Sequence, residues 1–115
     1  MKQLVWRGSS RSRIREFPSE AQDIVGHELM RVQFGRSPAD WRPMSSVGPG
    51  AIEIRVHRPH EHRVIYVATF PEAIYVLHCF EKKTQKTSRN DIDIARNEYA
   101  DLQKYRKDQA KKGKV

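Results

Sequence analysis

The stretch AIEIRVHRPHEHRVIYVATFPEAIYVLHCF, running from Ala51 to Phe80, decides the fold. In AIEIRV the residues Ile52, Ile54 and Val56 alternate with Glu53, Arg55 and His57, the period of two that marks a strand with one face in the core. RVIYVATF and AIYVLHCF are nearly continuous in apolar content, which places them mid-sheet under helices on at least one face. Pro71, directly after Phe70, suits the second position of a tight turn, so PEA is expected to join the last two strands as an antiparallel hairpin. Three strands in a meander result.

Upstream, KQLVW reads as a short strand, RGSS opens a serine-capped helical turn around Ile14, and Pro18 breaks the chain. Ser19 ahead of Glu20, Ala21 and Gln22 has the spacing of a capping box. Ala21, Ile24, Val25, Leu29 and Val32 then recur at helical intervals until Gly35 supplies a stop. RSPADWRPMSSVGPGA, with three prolines and two glycines, is expected to be a loop holding at most a brief extended piece near Met44. Downstream, Ser88 begins a helix with Asp91 three positions on, and Ile92, Ala95, Tyr99 and Leu102 form its apolar stripe. The order strand, two helices, three strands, helix is an α+β arrangement, an antiparallel sheet carrying helices on one side. Residues 1–115 make one small domain, with 108–115 a basic tail that frays after about Lys107.

Twenty-two Lys and Arg against 14 Asp and Glu leave a net charge of +8, which favours a polyanionic partner, nucleic acid first. No run approaches the roughly 18 apolar residues of a membrane span. Arg7 and Arg11 interrupt the N-terminus before an apolar signal core develops, so a cytoplasmic protein is expected. Cys79 is alone, cannot form an intrachain disulfide, and reads as a small buried hydrophobe. Strand periodicity sets Arg55 beside Glu53 and His57 on the face opposite Ile54 and Val56, projecting from an uncovered side of the sheet. Arg63 opens the next strand while Lys82, Lys83 and Lys86 leave the third. Antiparallel neighbours bring those two ends together, so the cations are expected to converge at one edge. The C-terminal KYRKDQAKKGKV has the plainer reading of a solubilising tail.

His57, on the Arg55 face, is the better placed acid–base candidate, with His78 second; a structural or merely exposed histidine is the commoner case for each. HEH, His60 to His62, puts adjacent ligands on a short turn with no third cluster, which does not make a metal site. Trp6 suits the core. Trp41, in the proline-rich segment, suits either a lid or a base to stack on.

AIEIRV, HRVIYV and FEKKTQKTSRNDIDIAR together resemble the RelE/ParE superfamily of bacterial toxins, and within it the HigB-like, phage-derived group. The resemblance spans nearly the whole chain and implies a RelE-like fold and a ribosome-dependent mRNA endoribonuclease. It would act through the RNA 2′-hydroxyl, need no metal or cofactor, and be restrained by a cognate antitoxin. Its partners would be the ribosome and mRNA, with no membrane. By the same resemblance Arg55 and Arg63 match basic strand residues of the family, and Lys83 with Lys82 stands near the scissile phosphate. Lys86, Arg89 and Trp41 would contact RNA. The family's tyrosine after the cationic loop has no counterpart, since Arg89 and Asn90 occupy that region. His57 is therefore the substitute proposed for proton transfer. Two alternatives stay open: a ParE-like toxin that binds DNA gyrase and cleaves nothing, and a non-enzymatic basic nucleic-acid-binding phage protein.

Overall fold

A computed structural model describes residues 1–113. The elements are β1 (Leu4–Trp6), α1 (Ser10–Arg15), α2 (Ser19–Gln33), β2 (Trp41–Pro43), β3 (Ala51–Val56), β4 (His62–Val67), β5 (Ile74–Glu81) and α3 (Arg89–Lys112). They form a five-stranded sheet in the order β1-β5-β4-β3-β2. The expected α+β order holds, and β3, β4 and β5 form the antiparallel meander. β1 joins β5 in parallel at the far edge.

Three local features differ from the sequence reading. The proline-rich segment contributes an edge strand, β2, paired antiparallel with β3 from Trp41 opposite Ile54 to Pro43 opposite Ile52; an edge tolerates proline because no outer neighbour needs its missing N–H. Ser19 is the first helical residue of α2, behind Pro18, and no side chain caps that end. Gln22 Nε2, a donor and so no cap for the helix N–H groups, ties the start of the helix to the Phe17 and Arg15 carbonyls. The link between β4 and β5 spans residues 68–73, wider than PEA alone.

Two other helix ends match their sequence signals. Gly35 takes φ +80°, and the bonds Gly35 N to Val32 O and Arg36 N to Arg31 O close α2 as a Schellman motif. Ser88 caps α3 by accepting from Asp91 N. The composition ends order at about Lys107, whereas α3 runs on to Lys112; of the basic tail, Lys114 and Val115 lie outside the described residues.

Helices cover both faces of the sheet, a correction to the one-sided arrangement. α1 and α2 pack Phe17, Ala21, Val25, Leu29 and Val32 onto Ile54, Val56, Val64, Tyr66, Ile74, Val76 and Cys79. On the other face Ala95, Tyr99 and Leu102 of α3 meet Ile65, Val67, Tyr75, Leu77 and Phe80, with Met44 and Val47 closing the rim. The approach is close enough that a β-carbon on Gly48 would stand 2.9 Å from the Tyr99 ring. Arg106 fastens the far end of α3. Its guanidinium reaches both Glu72 oxygens at 2.7 and 3.2 Å and lies 3.9 Å from the Phe70 ring centroid. Among the described residues no helix is long and apolar enough to cross a membrane.

One irregularity sets which side chains reach which face. The β4–β5 ladder slips between Ile65 and Tyr66, so Tyr66 meets Val76 and Ile65 meets His78, leaving Leu77 as the extra residue of a β-bulge. Beyond it Cys79 turns toward α1 and α2, while Phe80, opposite Arg63, turns toward the α3 side. Cys79 is fully buried, and burial pushes its thiol up to about 12.

Candidate nucleic-acid interface

Cross-strand partners share a face, so the pairs Arg42–Glu53 and Arg55–Arg63 both project on the α3 side of the sheet. α3 begins only at Arg89, and the end of the sheet beyond it is left to charged side chains. Arg55, Glu61, Arg63, Lys82, Lys83, Thr84 and Gln85 line one groove there. The expected convergence of Arg55, Arg63 and the loop lysines therefore occurs.

Arg63 is the departure. Far from projecting into solvent, it is 2% exposed. Its terminal nitrogens donate to the His62 carbonyl and to Glu61 Oε1, both at 2.9 Å, and its Nε lies 3.8 Å from Glu53 Oε1. Glu53 is 0% exposed and accepts from Arg42 Nε and from the Thr87 hydroxyl at 3.0 Å each. These ions alternate in sign along a chain. From Arg42 the order runs Glu53, Arg63, Glu61, His57, Asp40 and Arg55. Buried charges persist only when so compensated.

His57 sits between carboxylates, with Nδ1 2.8 Å from Glu61 and Nε2 2.5 Å from Asp40. These bonds, the Asp40 bond foremost, raise its pKa above the ordinary histidine value. The imidazolium in turn helps hold Glu61 low, with Arg63 second. His57 thus reaches the groove only through Glu61 and acts on it as a positioning group. Because its folded pKa is raised, its contribution to stability is full below the unfolded value and fades as pH climbs through the folded one. The difference in melting temperature between the native chain and His57→Gln should accordingly be largest near pH 6 and shrink toward pH 9. A difference that grows with pH would show that His57 is neutral in the fold.

Lys82 and Lys83 are in another position. Among the described residues neither takes part in an ion pair. Burial, and then the neighbouring Arg63, Arg42 and Arg55 charges, hold the Lys82 ammonium below its ordinary value despite the opposing pull of Glu53. A cation repelled by its neighbours gains from an incoming anion. Lys86 and Arg89 are exposed beside the groove but do not line it. Trp41, 40% exposed, pairs with Ile54 and so lies on the α2 face, away from these cations.

His78, the second acid–base candidate, is buried behind α3. It stacks on Phe80 and places Nε2 2.8 Å from Asp91 Oδ1. Burial, its largest influence, lowers its pKa. Arg42, Asp40, Glu53 and Glu61 escaped sequence reasoning. Arg42 had no signal because its strand reads as loop. Glu53 had one, a carboxylate on the same strand face as Arg55.

Fold and site together define a small α+β protein with a cation-lined groove across the end of its sheet. The chain belongs to the phage-derived Gp49-like family (DUF891), whose model matches residues 12–100. That span contains every groove residue. No curated protein matches the chain.

Proposed function

We propose that this chain is the toxin of a type II toxin–antitoxin pair, a HigB-like member of the RelE group that cleaves mRNA on the ribosome. The observation that carries this reading is the pair Lys82 and Lys83, in no ion pair among the described residues, at a groove floored by Arg63 and flanked by Arg55. Family membership supports the same reading. Attack of a ribose 2′-oxygen on the adjacent phosphorus forms one P–O bond as the bond to the 5′-oxygen breaks, leaving a cyclic phosphate and a 5′-hydroxyl. Negative charge builds on the phosphate oxygens, and preorganised cations stabilise it there.

Lys83 and Lys82 are assigned to those oxygens and Arg55 to the flanking phosphate. Arg63, whose terminal nitrogens are already engaged, supplies field and rigidity. His57 holds Glu61 and through it Arg63. The chain carries no full acid–base set in the groove, so the ribosome is assigned the task of aligning the 2′-oxygen, and free RNA should be a poor substrate. A partner antitoxin of acidic character would neutralise the groove and be drawn to it electrostatically. Brief induction followed by mapping of new mRNA 5′ ends on translating ribosomes tests the reading. Codon-phased ends are expected. Intact mRNA with broken DNA would replace this function with a gyrase-directed one.

A further inference from the structure

Lys83 lines a second groove, on the other side of β5 from the first. Its other walls include Arg13, Glu16, Phe17 and Pro18 from the α1–α2 side, His60, His62 and Glu81 from the strand ends, and Asp91 from α3. The chemistry differs from that of the phosphate groove. There the one carboxylate, Glu61, is bound by Arg63 and His57. Here Glu16 and Glu81 are both exposed, and among the described residues neither is in an ion pair. Asp91 is occupied by His78 and Ser88. Arg13, the cation on the α1 wall, gives its Nε to the Ser9 hydroxyl rather than to either carboxylate, so Glu16 and Glu81 beside a phosphate track would repel backbone and attract hydrogen-bond donors. Besides the 2′-hydroxyls, the donors of RNA are the base-edge amino groups and the imino N–H of guanine and uracil, all of which a carboxylate accepts from. His60, exposed at the rim, offers a ring for a base to stack on, and Phe17 floors the groove, packed 4.4 Å from the His62 ring.

We infer that this second groove is a nucleobase subsite. A nucleotide whose phosphate rests on Lys83 places its base against His60 with its edge toward Glu16 and Glu81. The subsite selects bases that carry an exocyclic amino group, adenine, cytosine or guanine, over uracil, whose one N–H on that edge lies between two carbonyl oxygens that the carboxylates would repel. This rests on the proposed function for its ligand class, naming the residues that choose among bases, but it concerns binding and is testable without cleavage.

The test is fluorescence anisotropy of the free chain with labelled pentanucleotides UUAUU, UUCUU, UUGUU and UUUUU at low salt. The three amino-bearing oligonucleotides should bind roughly tenfold tighter than UUUUU, the scale of one well-placed base contact. The Glu16→Ala/Glu81→Ala double variant should bind all four alike and take UUUUU more tightly than the native chain does. His60→Ala should weaken the amino-bearing three and keep their order. Equal binding of all four by the native chain, no binding of any, or a preference that survives in the folded double variant would overturn the subsite. A chain that discriminates bases yet leaves ribosomal mRNA whole would instead overturn the nuclease reading and keep this one.

Discussion

Arg63→Ala should destabilise the fold by about 3–5 kcal/mol, the usual cost of stranding one member of a buried ion pair. Glu53 would keep the exposed Arg42 and the Thr87 hydroxyl, but the buried guanidinium beside it would be gone. Chemical denaturation measures this as a lower midpoint at unchanged slope. Arg63→Met combined with Glu53→Leu should recover much of the loss, because the apolar pair leaves no charge behind, and the energies of the single changes should fail to add. A drop within about 1 kcal/mol for Arg63→Ala would mean that the arginine is solvated and that the alternating ion chain does not hold. Loss of toxicity in this variant would report folding before chemistry. It is thus a poor probe of the groove and a good probe of its foundation.

Lys83→Ala should leave the fold intact, since the side chain is exposed, and should lower mRNA cleavage by two to three powers of ten. That is the effect of removing one preorganised donor from a developing oxyanion, about 3–4 kcal/mol. The tail lysines are the control. Lys111 stands 22 residues along α3 from Arg89, about 33 Å at the helical rise, several screening lengths away in ordinary salt. Replacing Lys111, Lys112 and Lys114 together should therefore slow cleavage only a few-fold, and only at low salt. Cleavage on ribosomes at two salt concentrations, with circular dichroism confirming the fold, separates the two. If the tail variant fails while Lys83→Ala cleaves normally, the groove has been assigned wrongly.

The fold was legible because its signals are local. Alternation in AIEIRV, apolar runs in β4 and β5, Ser88 ahead of Asp91 and Gly35 after Val32 each act within a few residues. What escaped was decided across the chain. Trp41–Pro43 becomes a strand only because β3 offers it an edge. Ser19 lost its capping role because Pro18 takes the cap position and Ser19 is the first helical residue.

The site divides in the same way. That Arg55, Arg63 and the loop lysines would meet followed from the meander. That Arg63 would be buried did not, because its burial depends on Glu53 and Glu61, which hold the guanidinium, and on the loop that carries Lys82 to Gln85 beside it. His57 was placed on the right face, but its role changed when Asp40, 17 residues away, proved to hold its other nitrogen.

The surplus residue at Leu77 makes β5 a strand with two phases. Its first half is in register with the α2 side through Ile74 and Val76, and its second half is offset by one, which brings Phe80 and then Lys82 round to Arg63. Were the ladder instead to close over the bulge with Leu77 still present, pairing Leu77 with Ile65, everything after it would slip by one residue and turn to the other face. Lys82 would then point at the α1–α2 side, and the cysteine would trade places with charge. The location of the cationic groove thus depends on register as much as on residue type: a chain lacking Leu77 would keep it, because Val76 and His78 already pair with consecutive residues of β4, whereas a one-residue slip would carry it to the opposite side with every lysine still present.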